Sequence, residues 1–146
     1  MNTNIVTVEK LVNATAERVW QALTDKEQMK QWYFTLDDFK AEKGFQFSFP
    51  GQGSKGENYI HLCKILEVIP LKKLQYSWEY KDHEGYSVVT FELAEEDGKT
   101  LIKVTHTGLE TFPKHPDFAK ESFNMGWTQL VTISLPEFLE KEKQTA

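Results

Sequence analysis

The chain has 146 residues, with 22 acidic against 17 basic side chains and a net charge of −5. That balance speaks against general phosphate-backbone binding, which needs a clustered positive surface, and an aromatic content of 13% speaks against a disordered tail. The single cysteine, Cys63, excludes an internal disulfide and any zinc site built on paired cysteines.

In chain order, Ile5 to Asn13 is β-branched with polar residues interleaved, which predicts a strand. Thr15 stands where an N-cap belongs and Glu17 falls in the first turn of the helix that follows. Val19, Trp20 and Leu23 share one face of that short helix, Ala16 to Leu23, and Lys26 to Trp32 forms a second one carrying Met29 and Trp32. Phe45, Phe47 and Phe49 then alternate with polar residues as a half-buried strand, and Pro50 to Gly56 reads as a glycine-rich turn. Four more strands are expected: Tyr59 to Ile69, Leu74 to Tyr80, a stretch carrying Val89, Phe91 and Leu93, and Leu101 to Thr107, with a hairpin turn at Asp97-Gly98. From Asp117 onward the period changes from 2 to about 3.6, predicting a helix over Phe118 to Glu140 with Phe123, Trp127, Leu130, Val131, Ser134 and Phe138 on one face. Pro136 should kink or restart that helix near Thr132. The tail from Lys141 to Ala146 has nothing to bury.

The order β–α–α–β–β–β–β–β–α makes an α+β fold, in which five consecutive strands form a curved antiparallel meander and the C-terminal helix covers one face. Length argues for one domain over 1–146, and the absence of a signal-type or membrane-length apolar run argues for a soluble cytoplasmic protein.

Few motifs carry chemistry. Gly51-Gln-Gly53-Ser-Lys-Gly56 is a literal G-x-G-x-x-G, but a strand follows it instead of a helix, so phosphates would find no helix N-terminus and a flexible hairpin turn is the better reading. None of His61, His83, His106 and His115 lies four residues from another histidine, so no dedicated metal site is expected. His83 and His115 fall in turn segments. His106 shares its strand phase with Ile102 and Val104 and therefore faces inward, either as a hydrogen-bonded core histidine or as a ligand contact. Cys63 sits mid-strand among apolar neighbours as a buried thiol, and the acidic runs Asp37-Asp38 and Glu95-Glu96-Asp97 read as solvated surface. The informative feature is an aromatic inner face, which is either core packing or the wall of a small-molecule pocket with a few polar groups among its rings.

The segment Asn13-Ala-Thr-Ala-Glu-Arg-Val-Trp20-Gln-Ala-Leu-Thr-Asp25, followed by Gln31-Trp32, resembles the opening of START-like (SRPBCC) domains, and more narrowly the activator-of-heat-shock-protein-90-ATPase C-terminal-domain family. Pro70 to Leu74 leading to Trp78, the Thr105-His-Thr-Gly-Leu109 exit, and Gly126-Trp127 with Leu130 and Leu135 extend the similarity over nearly the whole chain. The resemblance implies a helix-grip fold, a curved antiparallel sheet wrapped around a long C-terminal helix, with two short helices after the first strand and a cavity between helix and sheet. It further implies binding of an apolar or aromatic, lipid-like molecule. The ligand-lining residues expected are Trp32, Phe47, Phe49, His61, Tyr76, Trp78, Phe91, His106, Phe123, Trp127 and Leu130.

The leading expectation is a non-enzymatic binding protein for a small hydrophobic or aromatic molecule, with no cofactor, no metal, no nucleic acid and no stable membrane association, as a monomer or weak dimer. A chaperone-regulating interaction domain is the first alternative. A cofactor-free cyclase or lyase using His106 or a tyrosine as acid/base is the second.

Overall fold

The computed structural model describes residues 5–33, 36, 38–52, 58–114 and 118–145. Six strands, β1 (Val6–Val12), β2 (Gln46–Gln52), β3 (Asn58–Ile69), β4 (Lys73–Tyr80), β5 (Ser87–Glu96) and β6 (Lys99–Thr107), form one antiparallel sheet in the order β1-β6-β5-β4-β3-β2. Two short helices, α1 (Ala16–Thr24) and α2 (Lys26–Trp32), follow β1. The chain ends in α3 (Lys120–Gln129), a π-helical segment over Leu130–Ser134, and α4 (Leu135–Thr145). The architecture is the expected α+β helix-grip, a curved sheet closed on one face by the C-terminal helix.

Alternation dictates the layers. On β4, Leu74, Tyr76, Trp78 and Tyr80 are buried while Lys73, Gln75 and Glu79 are only half-covered. β5 and β6 bury Val89, Phe91 and Leu93, and Ile102, Val104 and His106, on the same side. Register keeps these rows together, with Tyr76 opposite Val89, Phe91 opposite Val104, and Phe49 opposite His61. Asp97 (φ 55°) and Gly98 (φ 79°) make the tight β5–β6 hairpin with two positive φ angles, the combination an Asp-Gly pair supports.

Local hydrogen bonds fix the helices. Thr15 Oγ1 accepts the Arg18 N–H at 3.3 Å as the N-cap of α1, and Glu95 Oε1, reaching over from β5, accepts the Ala16 N–H at 2.6 Å. Glu95 therefore seats α1 on the sheet and is more than the solvated surface charge its acidic run implied.

The final helix differs in detail from the sequence expectation. It starts at Lys120, after Ala119 as N-cap, and α4 continues through the tail to Thr145. The break near Thr132 takes the form of a π segment in which the Leu135 N–H reaches back five residues to the Leu130 carbonyl. Pro136 has no N–H to donate, so the ladder needs a local rearrangement there, and one extra residue in the turn supplies it. Pro50, expected in a turn, lies inside β2, where the strand is at the sheet edge and a missing donor costs no ladder bond on the open side. The rest of the Gly51–Gly56 turn, from Gly53, lies outside the described residues, as does His115.

Candidate functional site

Four rings from four elements meet where α3 crosses the concave face of the sheet. Tyr33, just past α2, lies 6.1 Å from Phe49 of β2, Phe49 lies 5.7 Å from Trp78 of β4, Trp78 lies 5.7 Å from Trp127 of α3, and Trp127 stacks back on Tyr33 at 6.1 Å and 20°. These separations fall in the range of favourable aromatic contacts. Strand alternation delivers Phe49 and Trp78, and the one-turn step from Phe123 delivers Trp127.

Around this circuit stand the other residues expected from the sequence. Trp32 is buried, 5.1 Å from Tyr33, with its Nε1–H donated to the Ala22 carbonyl at 2.8 Å. Phe47 packs edge-on to Tyr76 at 5.2 Å, and Phe91 lies 5.9 Å from Tyr76 and 5.7 Å from Trp127. Phe123 packs edge-on to His106 at 4.9 Å, and Leu130 is half-buried against the same core. His61 stacks on Phe49 at 4.5 Å and 9°. Its Nδ1 lies 3.2 Å from the Phe49 carbonyl, and any Cβ at Gly51 would overlap the imidazole.

The polar groups in this interior are paired in a defined order. Trp127 Nε1–H donates to His106 Nδ1 at 3.0 Å, which makes Nδ1 the acceptor and, in the neutral imidazole assigned from this network, leaves the proton on Nε2. His106 Nε2–H then donates to Ser87 Oγ at 2.8 Å, and the Ser87 hydroxyl donates to the Trp78 carbonyl at 2.7 Å. His106 faces inward as its strand phase required, with both ring nitrogens held by protein partners. Burial pushes its pKa down to about 3 and that of His61 to about 4. The Ser87–His106 contact is not a nucleophile–base pair in this tautomer: Nε2 already carries a proton and cannot accept the serine's.

Tyr33 and Tyr76 share a hydroxyl–hydroxyl hydrogen bond of 2.6 Å, and burial raises both phenols well above their ordinary pKa. Burial likewise pushes the Cys63 thiol up, so it is held protonated and unreactive. Three buried side-chain atoms among the described residues lack a partner: Arg18 Nη2 on α1, Gln28 Oε1 on α2, and one donor within the ring circuit. The Trp78 indole Nε1–H is buried and has no hydrogen-bond partner among the described residues.

Tyr33 is absent from the sequence-derived set because it follows the last residue of α2, at the C-cap where the backbone leaves helical geometry. Phe112 and Phe118 come from the connection into α3 and pack on Tyr80 at 5.3 and 4.9 Å. Segments of that kind carry no periodicity from which to read burial. His83, expected in a turn, is exposed, though its ring lies 5.4 Å from that of Phe118. A concavity of about 660 Å³ lies on the opposite, solvent-facing side of the sheet, among Gln46, Ser48, Leu62, Lys64, Glu79 and Tyr86. It is open to bulk water, and the buried Phe47 and Cys63 also line it, whereas Tyr33, Phe49, Trp78 and Trp127 do not. Among the described residues no group of three or more His, Cys, Asp or Glu could hold a metal ion, and no helix is long and apolar enough to cross a membrane.

A curved antiparallel sheet gripping a C-terminal helix over a ring-lined concave face is the START-like, helix-grip class of protein. Within it, the chain belongs to the family of activator of Hsp90 ATPase homolog 1-like proteins, whose pattern matches residues 13–140. Among solved structures it is similar to protein MLL2253 from Mesorhizobium loti, with 28% identity and a TM-score of 0.76 over 94% of this chain and 97% of that one. It is similar also to protein BH1534 from Bacillus halodurans, with 27% identity and a TM-score of 0.72 over 92% and 96%. DynU16, a putative protein in the dynemicin biosynthetic locus, shares the fold at 22% identity and a TM-score of 0.76; the match covers 95% of this chain and 48% of that one. No curated protein matches the chain at a significant level.

Proposed function

We propose that the chain binds a small apolar or aromatic molecule between α3 and the concave face of the sheet, and does no chemistry on it. The observation that carries this reading is the unmatched Trp78 Nε1–H, buried within the aromatic wall. A buried donor left without an acceptor costs about 1–3 kcal/mol, and native cores rarely keep one without a use. Trp127 Nε1, both His106 ring nitrogens, Ser87 Oγ and the Tyr33 and Tyr76 hydroxyls all have protein partners, so the ring circuit is prepared for one oriented contact in an otherwise apolar surrounding. The kinship of fold with DynU16, from a biosynthetic locus, is in keeping with a small-molecule ligand. The expected lining is the set Trp32, Phe47, Phe49, His61, Tyr76, Trp78, Phe91, His106, Phe123, Trp127 and Leu130, to which Tyr33 is added.

The test is a titration with the uncharged fluorophore N-phenyl-1-naphthylamine, read by its emission and by quenching of tryptophan, alongside native mass spectrometry of the purified protein. Saturable one-to-one binding, with energy transfer from the buried tryptophans, supports the reading. Linear, unsaturable emission overturns it. The family's description also names an Hsp90 ATPase activator. Stimulation of a chaperone's ATPase by this chain, with no probe binding, would favour that role instead.

A further inference from the structure

The chemistry around Trp78 narrows the ligand beyond apolar or aromatic. We infer, on the basis of the binding function proposed above, that the ligand is an uncharged molecule presenting a carbonyl-type hydrogen-bond acceptor to Trp78 Nε1–H, and that carboxylates and other anions are rejected.

Three observations support this. First, the indole is a donor only, so whatever completes Trp78 must bring an acceptor, and a pure hydrocarbon leaves the donor as unsatisfied as before. The flanking faces of Phe49 (5.7 Å, edge-on) and His61 (4.9 Å, edge-on) offer at most a weak N–H···π contact. Second, among the described residues the buried polar and charged side chains are His61, Ser77, Ser87, Thr100 and His106; no Lys, Arg, Asp or Glu is buried there. An anion entering beside Trp78 would lose its hydration and meet no fully buried Lys or Arg; the half-buried Arg18, with its unpartnered Nη2, belongs to α1 and not to the ring circuit.

Third, neither inward-facing histidine is available to become that cation. His106 is locked between the Trp127 donor and Ser87, and its Nδ1 is already accepting a hydrogen bond that an imidazolium could not accept. His61 is stacked on Phe49 and lies against the Phe49 carbonyl and Gly51. Burial lowers both pKa values, in the same sense. The contact that orients the ligand is therefore one neutral hydrogen bond in an apolar, ring-walled surrounding, a site matched to aromatic ketones, quinones and esters.

Three naphthalenes of nearly equal shape separate the possibilities: 2-acetylnaphthalene, 2-ethylnaphthalene and 2-naphthoate, titrated at pH 7.5 by calorimetry and tryptophan quenching. The ketone is expected to bind about tenfold more tightly than the hydrocarbon, the ratio one net hydrogen bond supplies. The carboxylate is expected to bind at least about a hundredfold more weakly than the ketone. In Trp78→Phe, which keeps a ring in place but removes the donor, ketone and hydrocarbon should converge to within about twofold. The wild-type indole resonances give a second readout that needs no variant: of the four tryptophan N–H signals, that of Trp78 moves downfield with the ketone and stays with the hydrocarbon.

Equal binding of ketone and hydrocarbon to the wild type, or tightest binding of the carboxylate, overturns this inference while leaving the binding function standing. Failure of all three to bind overturns both.

Discussion

The two inward histidines make stability depend on pH in a calculable way. In the folded protein burial holds His106 near a pKa of about 3 and His61 near about 4, whereas each would titrate near about 6.5 in the unfolded chain. Between those values the unfolded state binds more protons than the folded state, so stability is full above about pH 6.5 and falls as pH drops towards the folded values. Lowering the pH from 7 to 5 should cost about 2 kcal/mol per histidine, or about 4 kcal/mol for the pair, at about 1.4 kcal/mol per pH unit below the unfolded pKa. That is a substantial part of the total for a domain of this size, roughly 7–20 kcal/mol. Urea unfolding followed by far-ultraviolet circular dichroism at pH 7, 6 and 5 measures it directly. The imidazole carbon-bound proton signals of His61 and His106 should stay at their neutral positions down to pH 5 in the native state. A midpoint that does not move between pH 7 and 5, or a His106 signal titrating near pH 6.5, would refute the assigned tautomer and the hydrogen-bond relay built on it.

Other substitutions probe separate links. Trp127→Phe keeps an aromatic ring against Phe91 but strips the donor from His106 Nδ1, and urea unfolding should show a loss of about 2 kcal/mol; a loss under about 0.5 kcal/mol would mean the bond contributes nothing. Glu95→Ala removes the acceptor that seats the start of α1 and should cost about 1 kcal/mol by the same assay. Gly108→Ala forces a left-handed residue (φ 87°) to carry a Cβ placed 2.6 Å from the Tyr86 carbonyl oxygen, and a drop of at least about 2 kcal/mol is expected from that strain. Gly51→Ala drives a methyl into the His61 ring and should weaken binding of naphthyl probes about threefold or more even where thermal melting shows the fold intact.

β4, β5 and β6 were legible because their inner rows alternate, so that Leu74, Tyr76, Trp78 and Tyr80 can be placed on one face from sequence alone. The inner row of β3 was not, the strand being apolar on both phases and shifted in register between Ile65 and Glu67. His106 was legible for the same reason, since its phase with Ile102 and Val104 forces it inward. Its partner was not. Ser87 lies 19 residues earlier, and only the β5–β6 register, which pairs Val88 with Thr107 and Val89 with His106, brings its hydroxyl to the imidazole. Tyr33 escaped because it sits at the C-cap of α2, with φ −121° and ψ −118°, outside any helical phase. Pro136 announced a disturbance in the final helix but not its form; a kink, a restart and a π turn each accommodate a residue that cannot donate, and the π turn closed by the Leu135 N–H on the Leu130 carbonyl is the one present. The orphaned donor of Trp78 is invisible at the level of residue type, because it is a statement about what all its neighbours do with their own polar atoms.

The central claim is that the ring-lined interior, and no other part of the surface, receives a small molecule. A crystal structure of the protein grown with saturating 2-acetylnaphthalene tests it most directly. Electron density is expected between α3 and the concave face, in contact with Tyr33, Phe49, Trp78 and Trp127, with the ketone oxygen about 3 Å from Trp78 Nε1. Density confined to the outer groove of Leu62, Lys64 and Glu79, over an interior closed ring against ring, would contradict it.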